Sequence, residues 1–184
     1  RKEGLDEAIL NLDEPLGANG GDSGRVLRYL KACSEKEKLQ RFDLFCLNCG
    51  LHDIKIKKDT QQIQTSQDDY RKNLLDVVDI AQQLTDQLIW MTTTCVDDDK
   101  HVQRTNFEYS RYQKDIDAYN AIAVEVMNEK NVKVIDLAAF TLRCGEDLHY
   151  DGVHYNPEII EKQAAFLAGY LSALLPDSTL ALKD

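Results

Sequence analysis

Residues 42–53 read Phe42-Asp43-Leu44-Phe45-Cys46-Leu47-Asn48-Cys49-Gly50-Leu51-His52-Asp53. The first eight residues form a largely apolar run of strand length, and the last four break that run with a glycine and polar side chains. Polar groups therefore gather at the carboxyl end of a predicted buried strand, which is the edge where open α/β sheets bind ligands and hold catalytic groups. The stretch predicts an α/β fold with a functional edge beside Gly50.

A second polar motif lies near the C-terminus, in Asp151-Gly152-Val153-His154-Tyr155-Asn156-Pro157. Asp151 precedes His154 by three residues, just ahead of an amphipathic run at residues 158–175. A carboxylate in this position can accept a hydrogen bond from one ring nitrogen and leave the other nitrogen as a general base. Alone the motif is weak evidence, because a loop that leads into a helix often contains a polar pair by chance.

Predicted strands and helices alternate along the chain. The strands are predicted at residues 8–12, 42–49, 87–94 and 132–137. The helices are predicted at about 22–33, from a cap at Thr65 or Ser66 through Leu84, at about 109–128 and at 158–175. Thr65 or Ser66 is expected to cap the second helix, and residues 55–64 and 97–99 are expected to be loops. Helices between strands imply parallel pairing with right-handed crossovers, and hence a three-layer α/β/α sandwich in one domain, residues 1–184.

These motifs together resemble the sequence blocks of the SGNH hydrolases, also called GDSL-type hydrolases. The strand that ends in Gly50-Leu51-His52-Asp53 resembles the third block, and Asp151-Gly152-Val153-His154 resembles the fifth. Asn19-Gly20-Gly21-Asp22-Ser23 resembles the second block, in which a glycine amide contributes to the oxyanion hole. The resemblance implies a flavodoxin-like parallel sheet and the hydrolysis of an ester through a serine acyl-enzyme. It implies no metal and no organic cofactor.

The resemblance also implies roles for particular residues. His154 would be the general base, Asp151 would orient its ring, and the Gly21 amide with His52 would stabilise the oxyanion. The family has an asparagine where this chain has His52, and a neutral imidazole N–H can serve as the same kind of donor. Asn48, on the same strand face as the glycine of the turn, could help to arrange that turn. Alternatively, His52 could bind a loop carbonyl and Asn48 could cap the strand end.

Gly21-Asp22-Ser23 spells the first-block signature of the family, whose serine is the nucleophile. The context differs, because residues 12–18 are loop-like and no strand–helix–strand unit separates Ser23 from the third block. Ser23 is therefore predicted to support the first turn of a helix, and a nucleophilic Ser23 is the less favoured alternative. The first block is expected to be missing from these 184 residues, so that the domain would be incomplete at its N-terminal end. Its strand would lie inside the sheet, and its absence would leave backbone groups without partners.

Composition restricts the classes of function. A chain of 184 residues with 43% hydrophobic content suits a globular domain, and a formal net charge of −10 argues against a surface for nucleic acid or anionic membrane. No apolar run approaches the roughly 20 residues of a membrane span. The resemblance to the SGNH hydrolases implies a small-molecule or carbohydrate ester as the partner.

Five cysteines, an odd number at irregular spacing, favour free thiols in a reducing, cytoplasmic compartment over a disulfide framework. Cys46, Cys49 and His52 suggest a zinc site by their spacing, but the two cysteines would point to opposite faces of a strand. They are predicted to be small buried residues instead. Trp90 is assigned to the core, His149 to a loop and His101 to a solvated position.

A non-catalytic protein that keeps the hydrolase scaffold for binding or assembly is the main alternative function. It would explain the missing serine and the histidine at position 52 by one cause. A flavodoxin-like nucleotide or flavin binder is less favoured, because no glycine-rich loop follows an established strand.

Overall fold

The computed structural model describes residues 20–34, 41–103 and 107–174. Its helices are α1 (Ser23–Ser34), α2 (Gln67–Leu84), α3 (Asp98–Val102), α4 (Gln113–Glu129), α5 (Leu137–Leu142) and α6 (Pro157–Ser172). Its strands are β1 (Phe45–Leu47), β2 (Ile56–Lys57), β3 (Leu88–Met91), β4 (Tyr109–Ser110) and β5 (Lys133–Ile135). The strand predicted at residues 8–12 lies outside the described residues.

The main sheet is parallel and has the order β1-β3-β5. Cys46 pairs with Ile89, and Trp90 pairs with Val134, which fixes the register of the three strands. Long helices connect the strands, α2 between β1 and β3 and α4 between β3 and β5, and helices cover both sides of the sheet. Within the described residues β3 is the only partner of β1, so the other edge of β1 is where the family resemblance expects a further strand.

Helix α2 supplies much of the core. Its buried residues recur every three or four positions, as expected of one helical face: Tyr70, Leu74, Val77, Val78, Ala81 and Leu84. This face packs α2 between α1 and α4. The side chain of Trp90 on the central strand is 1% exposed, which confirms its assignment to the core. Ser66 caps α2 as predicted, because its hydroxyl accepts a hydrogen bond from the backbone N–H of Asp69.

A small antiparallel sheet joins two segments that were predicted to be a loop and the beginning of a helix. Strand β2 pairs with β4, with Lys57 opposite Tyr109. The expectation of a loop throughout residues 55–64 is therefore wrong, and the third predicted helix, α4, begins at Gln113 rather than near Tyr109. Each strand has only two residues. Such strands are too short to produce a periodic pattern, and their pairing depends on a partner more than fifty residues away.

The acidic segment after β3 also differs from its prediction. Asp97 caps the short helix α3 by accepting a hydrogen bond from the backbone N–H of Lys100 at 2.9 Å. The carboxylates of residues 97–99 thus lie at a helix N-terminus, where negative charge is favourable. His101 on this helix is 1% exposed and its ring packs near those of Phe107 and Tyr109, so the prediction of a solvated His101 is wrong.

No helix in the described ranges has the length and apolar character needed to cross a membrane. All five cysteines are free, in agreement with the prediction. Across residues 20–34, 41–103 and 107–174 no group of three histidine, cysteine or carboxylate side chains is arranged to hold a metal ion.

The buried hydroxyl of Tyr70 provides a test of how α2 supports the end of β1. The hydroxyl donates to the carbonyl oxygen of Cys49 at 2.8 Å, and the side chain is fully buried. We expect Tyr70→Phe to lower the free energy of unfolding by about 1–2 kcal/mol, because it removes a buried hydrogen bond. Tyr150→Phe, at an exposed position, should change it by less than about 0.5 kcal/mol. Urea unfolding that gives equal stability for the two variants would contradict this role of Tyr70.

Candidate active site

Gly50 turns the chain at the carboxyl end of β1. Its φ is +147°, and a Cβ atom at this position would lie 2.7 Å from Thr93 Oγ1 and 3.2 Å from Tyr70 Oη. A side chain therefore cannot be accommodated without displacing the side chains of Thr93 and Tyr70. The backbone N–H groups of Asp53 and Ile54 both donate to the Gly50 carbonyl, at 2.9 and 3.2 Å. This closed turn presents His52 and Asp53 at the edge of the sheet.

The buried carboxylate of Asp53 joins this turn to the start of α1. The backbone N–H of Ser23 donates to both carboxylate oxygens, at 2.9 and 3.0 Å, and the Ser23 hydroxyl donates to Oδ1 at 2.5 Å. Asn73 Nδ2 donates to the same hydroxyl at 3.0 Å. Burial raises the pKa of the Asp53 carboxyl, and the hydrogen bonds from Ser23 oppose that effect. Sequence reasoning did not identify Asp53 as this link.

The hydroxyl of Ser23 is buried and hydrogen-bonded within the protein. Both Ser23 and Asp53 are 0% exposed, and the hydroxyl of Ser23 is already a donor and an acceptor within the protein. Ser23 is the first residue of α1, so its predicted place at a helix N-terminus is confirmed. Its partners differ from the expected backbone amides, because the hydroxyl binds a carboxylate and a side-chain amide instead.

Gly21 lies two residues before Ser23. The carboxylate of the intervening Asp22 accepts two hydrogen bonds that fix this segment. Asp22 Oδ1 accepts from the backbone N–H of Arg25 at 2.9 Å, and Asp22 Oδ2 accepts from Gln64 Nε2 at 3.1 Å. The segment that contains Gly21 is thus fixed to the turn that contains His52 through Ser23 and Asp53. The structure brings these two predicted site residues onto adjoining segments.

His52 is half-buried beside several charged groups. Burial lowers the pKa of its ring to about 4, and the positive charges of Lys55 and Arg111 add to the effect. The guanidinium of Arg111 is held nearby because its Nε donates to the Leu51 carbonyl at 2.7 Å. The imidazole is therefore neutral at physiological pH and carries one N–H that can act as a donor.

Asn48 has a different position from that of an oxyanion donor. Its Nδ2 donates to the Met91 carbonyl at 2.7 Å and to Thr93 Oγ1 at 3.1 Å. A side-chain amide has two N–H hydrogens, and both are used in these bonds. Asn48 thus joins the ends of β1 and β3, which agrees with the alternative in which it caps the strand end and arranges the turn.

Asp151 and His154 form the hydrogen bond that their spacing predicts. His154 Nδ1 lies 2.7 Å from Asp151 Oδ2, while Asp151 Oδ1 accepts from the backbone N–H groups of His154 and Val153 at 2.8 and 3.1 Å. Burial raises the pKa of the Asp151 carboxyl, but these bonds outweigh it and hold that pKa below its usual range. The His154 side chain is 65% exposed, and because Nδ1 is engaged, Nε2 is the nitrogen that can act on a substrate.

The loop that holds this pair rests on the segment that follows β3. Gly152 has a φ of +92°, and a Cβ atom there would lie 2.6 Å from the backbone nitrogen of His101. The Gly152 carbonyl accepts from the backbone N–H of Asp97 at 2.9 Å. The carbonyl of Cys95 accepts from the Tyr155 hydroxyl at 2.6 Å and from the buried His149 ring at 2.9 Å. These contacts attach the loop to the segment that follows β3.

Tyr150 is a further residue of the site that sequence reasoning did not single out. Its ring stacks on the ring of His154 with a centroid distance of 5.7 Å, and the residue is 64% exposed. An exposed aromatic ring beside the general-base candidate can contact a substrate. The sequence could have indicated Tyr150, because it directly precedes the Asp151 motif.

Comparisons with known proteins identify the fold. No family model matches this sequence, and no curated protein matches it in a sequence search. Among solved structures, a lipase/acylhydrolase from Enterococcus faecalis is similar with a TM-score of 0.64 at 19% identity, over 94% of this chain and 86% of that chain. The chain has the fold of the GDSL-type (SGNH) hydrolases. The predicted three-layer α/β/α architecture is thereby confirmed.

Two further GDSL-type structures agree. A GDSL-like lipase from Bacteroides thetaiotaomicron has a TM-score of 0.61 at 15% identity, over 94% of this chain and 84% of that chain. An acetylxylan esterase from Geobacillus stearothermophilus has a TM-score of 0.58 at 19% identity, over 85% of this chain and 69% of that chain. At such low identity the likeness concerns the GDSL-type fold, and the roles of individual residues depend on the geometry given above.

The carboxylate of Asp151 predicts a pH dependence of stability. A carboxyl group whose pKa is lowered by folding stabilises the protein fully above its unfolded pKa of about 4, and this contribution is lost as the pH falls towards the lower folded pKa. The stability of the wild type relative to Asp151→Asn should therefore be greatest at neutral pH and should decrease below about pH 4. Thermal unfolding between pH 2 and 7 measures it, with the exposed Asp43→Asn as control. A difference that does not change with pH would contradict the lowered pKa of the Asp151 carboxyl.

Proposed function

We propose that this protein hydrolyses an ester of a small molecule or carbohydrate through a serine acyl-enzyme intermediate. The observation that carries the proposal is the 2.7 Å hydrogen bond between Asp151 Oδ2 and His154 Nδ1, which leaves Nε2 as a base. The fold adds support, because the similar solved structures include a lipase/acylhydrolase and acetylxylan esterases.

In the proposed reaction a serine hydroxyl attacks the ester carbonyl carbon while His154 Nε2 accepts the hydroxyl proton. Asp151 holds the imidazole in the required tautomer and stabilises the imidazolium that forms. The Gly21 N–H and the His52 ring N–H donate to the tetrahedral oxyanion. Collapse of this intermediate breaks the ester C–O bond, and His154 gives the proton to the departing alcohol. Water then attacks the acyl-enzyme by the same steps and releases the carboxylic acid.

The proposal takes the nucleophile to be a serine that precedes Arg1 in the full reading frame. In the SGNH family the nucleophile block comes before the block that Gly21 resembles. Ser23 is disfavoured because its hydroxyl is buried against Asp53. A strand carrying the upstream serine would lie along the edge of β1 that faces away from β3, with the serine at the same sheet edge as the turn of Gly50.

Replacement of His52 tests the oxyanion site. In the full-length protein His52→Ala should lower kcat for an aryl acetate by about 100-fold, because one preorganised donor is lost. His52→Asn should retain much of the activity, since an amide N–H can donate from a similar position. Because the His52 pKa is about 4, the ratio of His52→Asn to wild-type activity should stay constant from pH 5 to 8. Unchanged hydrolysis by a folded His52→Ala variant would exclude His52 from the reaction.

A serine-directed fluorophosphonate tests the identity of the nucleophile. We expect mass spectrometry of the labelled full-length protein to find the adduct on a serine upstream of Arg1, in wild type and in Ser23→Ala alike. His154→Ala should suppress labelling, because the base that activates the serine is lost. An adduct on Ser23 would contradict the assignment of the sequence blocks. The absence of any adduct would favour the alternative function, a non-catalytic scaffold for binding or assembly.

A further inference from the structure

The side chain of Thr93 lies against the turn that carries His52. The Thr93 hydroxyl donates to the Cys49 carbonyl at 3.3 Å and accepts from Asn48 Nδ2 at 3.1 Å. A Cβ atom at Gly50 would lie only 2.7 Å from the same hydroxyl oxygen. Because the contact is this close, the position of Thr93 determines where the oxyanion turn can lie.

The segment that begins at Thr93 also holds the loop of the general base. The Cys95 carbonyl accepts from the Tyr155 hydroxyl at 2.6 Å, and the backbone N–H of Asp97 donates to the Gly152 carbonyl at 2.9 Å. Only a few residues separate Thr93 from these contacts. A shift of Thr93 would therefore move the general-base loop together with the oxyanion turn.

A side chain of α4 holds the backbone of Thr93 in place. The pairing of β3 ends at Trp90 on the side of β1 and at Met91 on the side of β5, so Thr93 lies beyond the paired residues. The Thr93 N–H donates to Asn120 Oδ1, and the Thr93 carbonyl accepts from Asn120 Nδ2, both at 2.8 Å. A side-chain amide has the same donor and acceptor as a peptide group. Asn120 thus pairs with both backbone groups of Thr93, as a neighbouring strand would.

A second residue of α4 supports the same segment. Gln113 Oε1 accepts from the backbone N–H of Val96 at 3.0 Å, and the Gln113 N–H donates to Asp98 Oδ1 at 2.7 Å. Gln113 and Asn120 are seven positions apart, which is about two turns of an α-helix, so both lie on the same face of α4. Helix α4 therefore holds the segment after β3 at two points, and Asn120 is the point next to the oxyanion turn.

We propose that Asn120 is a positioning residue, which keeps the oxyanion turn and the general-base loop at the separation that the reaction requires. This inference rests on the proposed ester hydrolysis, and it adds a residue that acts through Thr93 rather than on the substrate. A displacement of reacting groups raises the energy of the transition state more than that of the bound substrate, because only the transition state needs their close alignment. Loss of Asn120 should therefore lower kcat and leave KM nearly unchanged.

Kinetic measurements on the full-length protein with 4-nitrophenyl acetate test this role. Asn120→Ala should lower kcat by about 10-fold or more and change KM by less than about 3-fold, since small misplacements of reacting groups are costly. Val126→Ala is the matched control, because Val126 lies on the same helix and is fully buried in the core. It should lower the midpoint of thermal unfolding at least as much, and it should leave kcat within about 2-fold of wild type.

An unchanged kcat in a folded Asn120→Ala variant, or equal losses of kcat in the two variants, would overturn the positioning role and leave ester hydrolysis standing. Asn120→Asp provides the same test if the alanine variant does not fold. It keeps an acceptor for the Thr93 N–H but places an oxygen opposite the Thr93 carbonyl, where a donor is needed. The same loss of kcat is expected at neutral pH, and an unchanged kcat would contradict the inference.

An NMR comparison separates this inference from the proposed function. The backbone amide signals of Asp53 and Asp97 report on the two halves of the site, because these N–H groups donate to the carbonyls of Gly50 and Gly152. Both signals should shift in the Asn120 variant and shift much less in Val126→Ala. Signals that stay in place, or a shift of only one of them, would overturn the inference. If the wild type hydrolyses no ester, the proposed function fails, and this comparison alone decides whether Asn120 holds both halves.

Discussion

The hydrogen bonds between Ser23 and the buried carboxylate of Asp53 hold the candidate site together. A buried carboxylate is costly unless several donors satisfy it, and Ser23 supplies two donors, its N–H and its hydroxyl. Ser23 begins α1 beside Gly21, and Asp53 lies next to His52 in the turn after β1. The two proposed oxyanion donors therefore keep a fixed relation only while this contact is made. The tight turn between β1 and His52 requires a glycine at position 50, because this position has no room for a side chain.

The general-base pair depends on a separate set of contacts. The loop of Asp151 and His154 is fastened to the segment after β3 through the backbone of Gly152 and through the Cys95 carbonyl. The Gly50 turn follows β1 and the segment that holds the Asp151 loop follows β3, so both lie beyond the carboxyl ends of parallel strands.

The sequence was sufficient to predict those features that depend on interactions between residues close together in the chain. The buried face of α2 follows from its periodicity, the cap of α2 follows from Ser66, and the contact of Asp151 with His154 joins residues only three apart. These features depend on neighbouring residues, so a reading of the chain could predict them and the fold that contains them.

Features that depend on distant partners could not be predicted in the same way. Ser23 meets Asp53 across thirty residues, and the β2–β4 pairing joins segments that are more than fifty residues apart. His101 was expected in solvent because its own segment is acidic, yet rings from the β4 segment cover it. Asn48 shares a strand face with the turn, but only the position of β3 determines that its amide is fully used.

A crystal structure of the full-length protein after reaction with an aryl acetate analogue, a methylphosphonate ester, tests the central claim most directly. We expect phosphorus bonded to a serine upstream of Arg1. We also expect the phosphonyl oxygen to lie within about 2.7–3.1 Å of the Gly21 nitrogen and of a His52 ring nitrogen. A phosphonate on Ser23, or an oxygen directed away from both donors, would contradict the account.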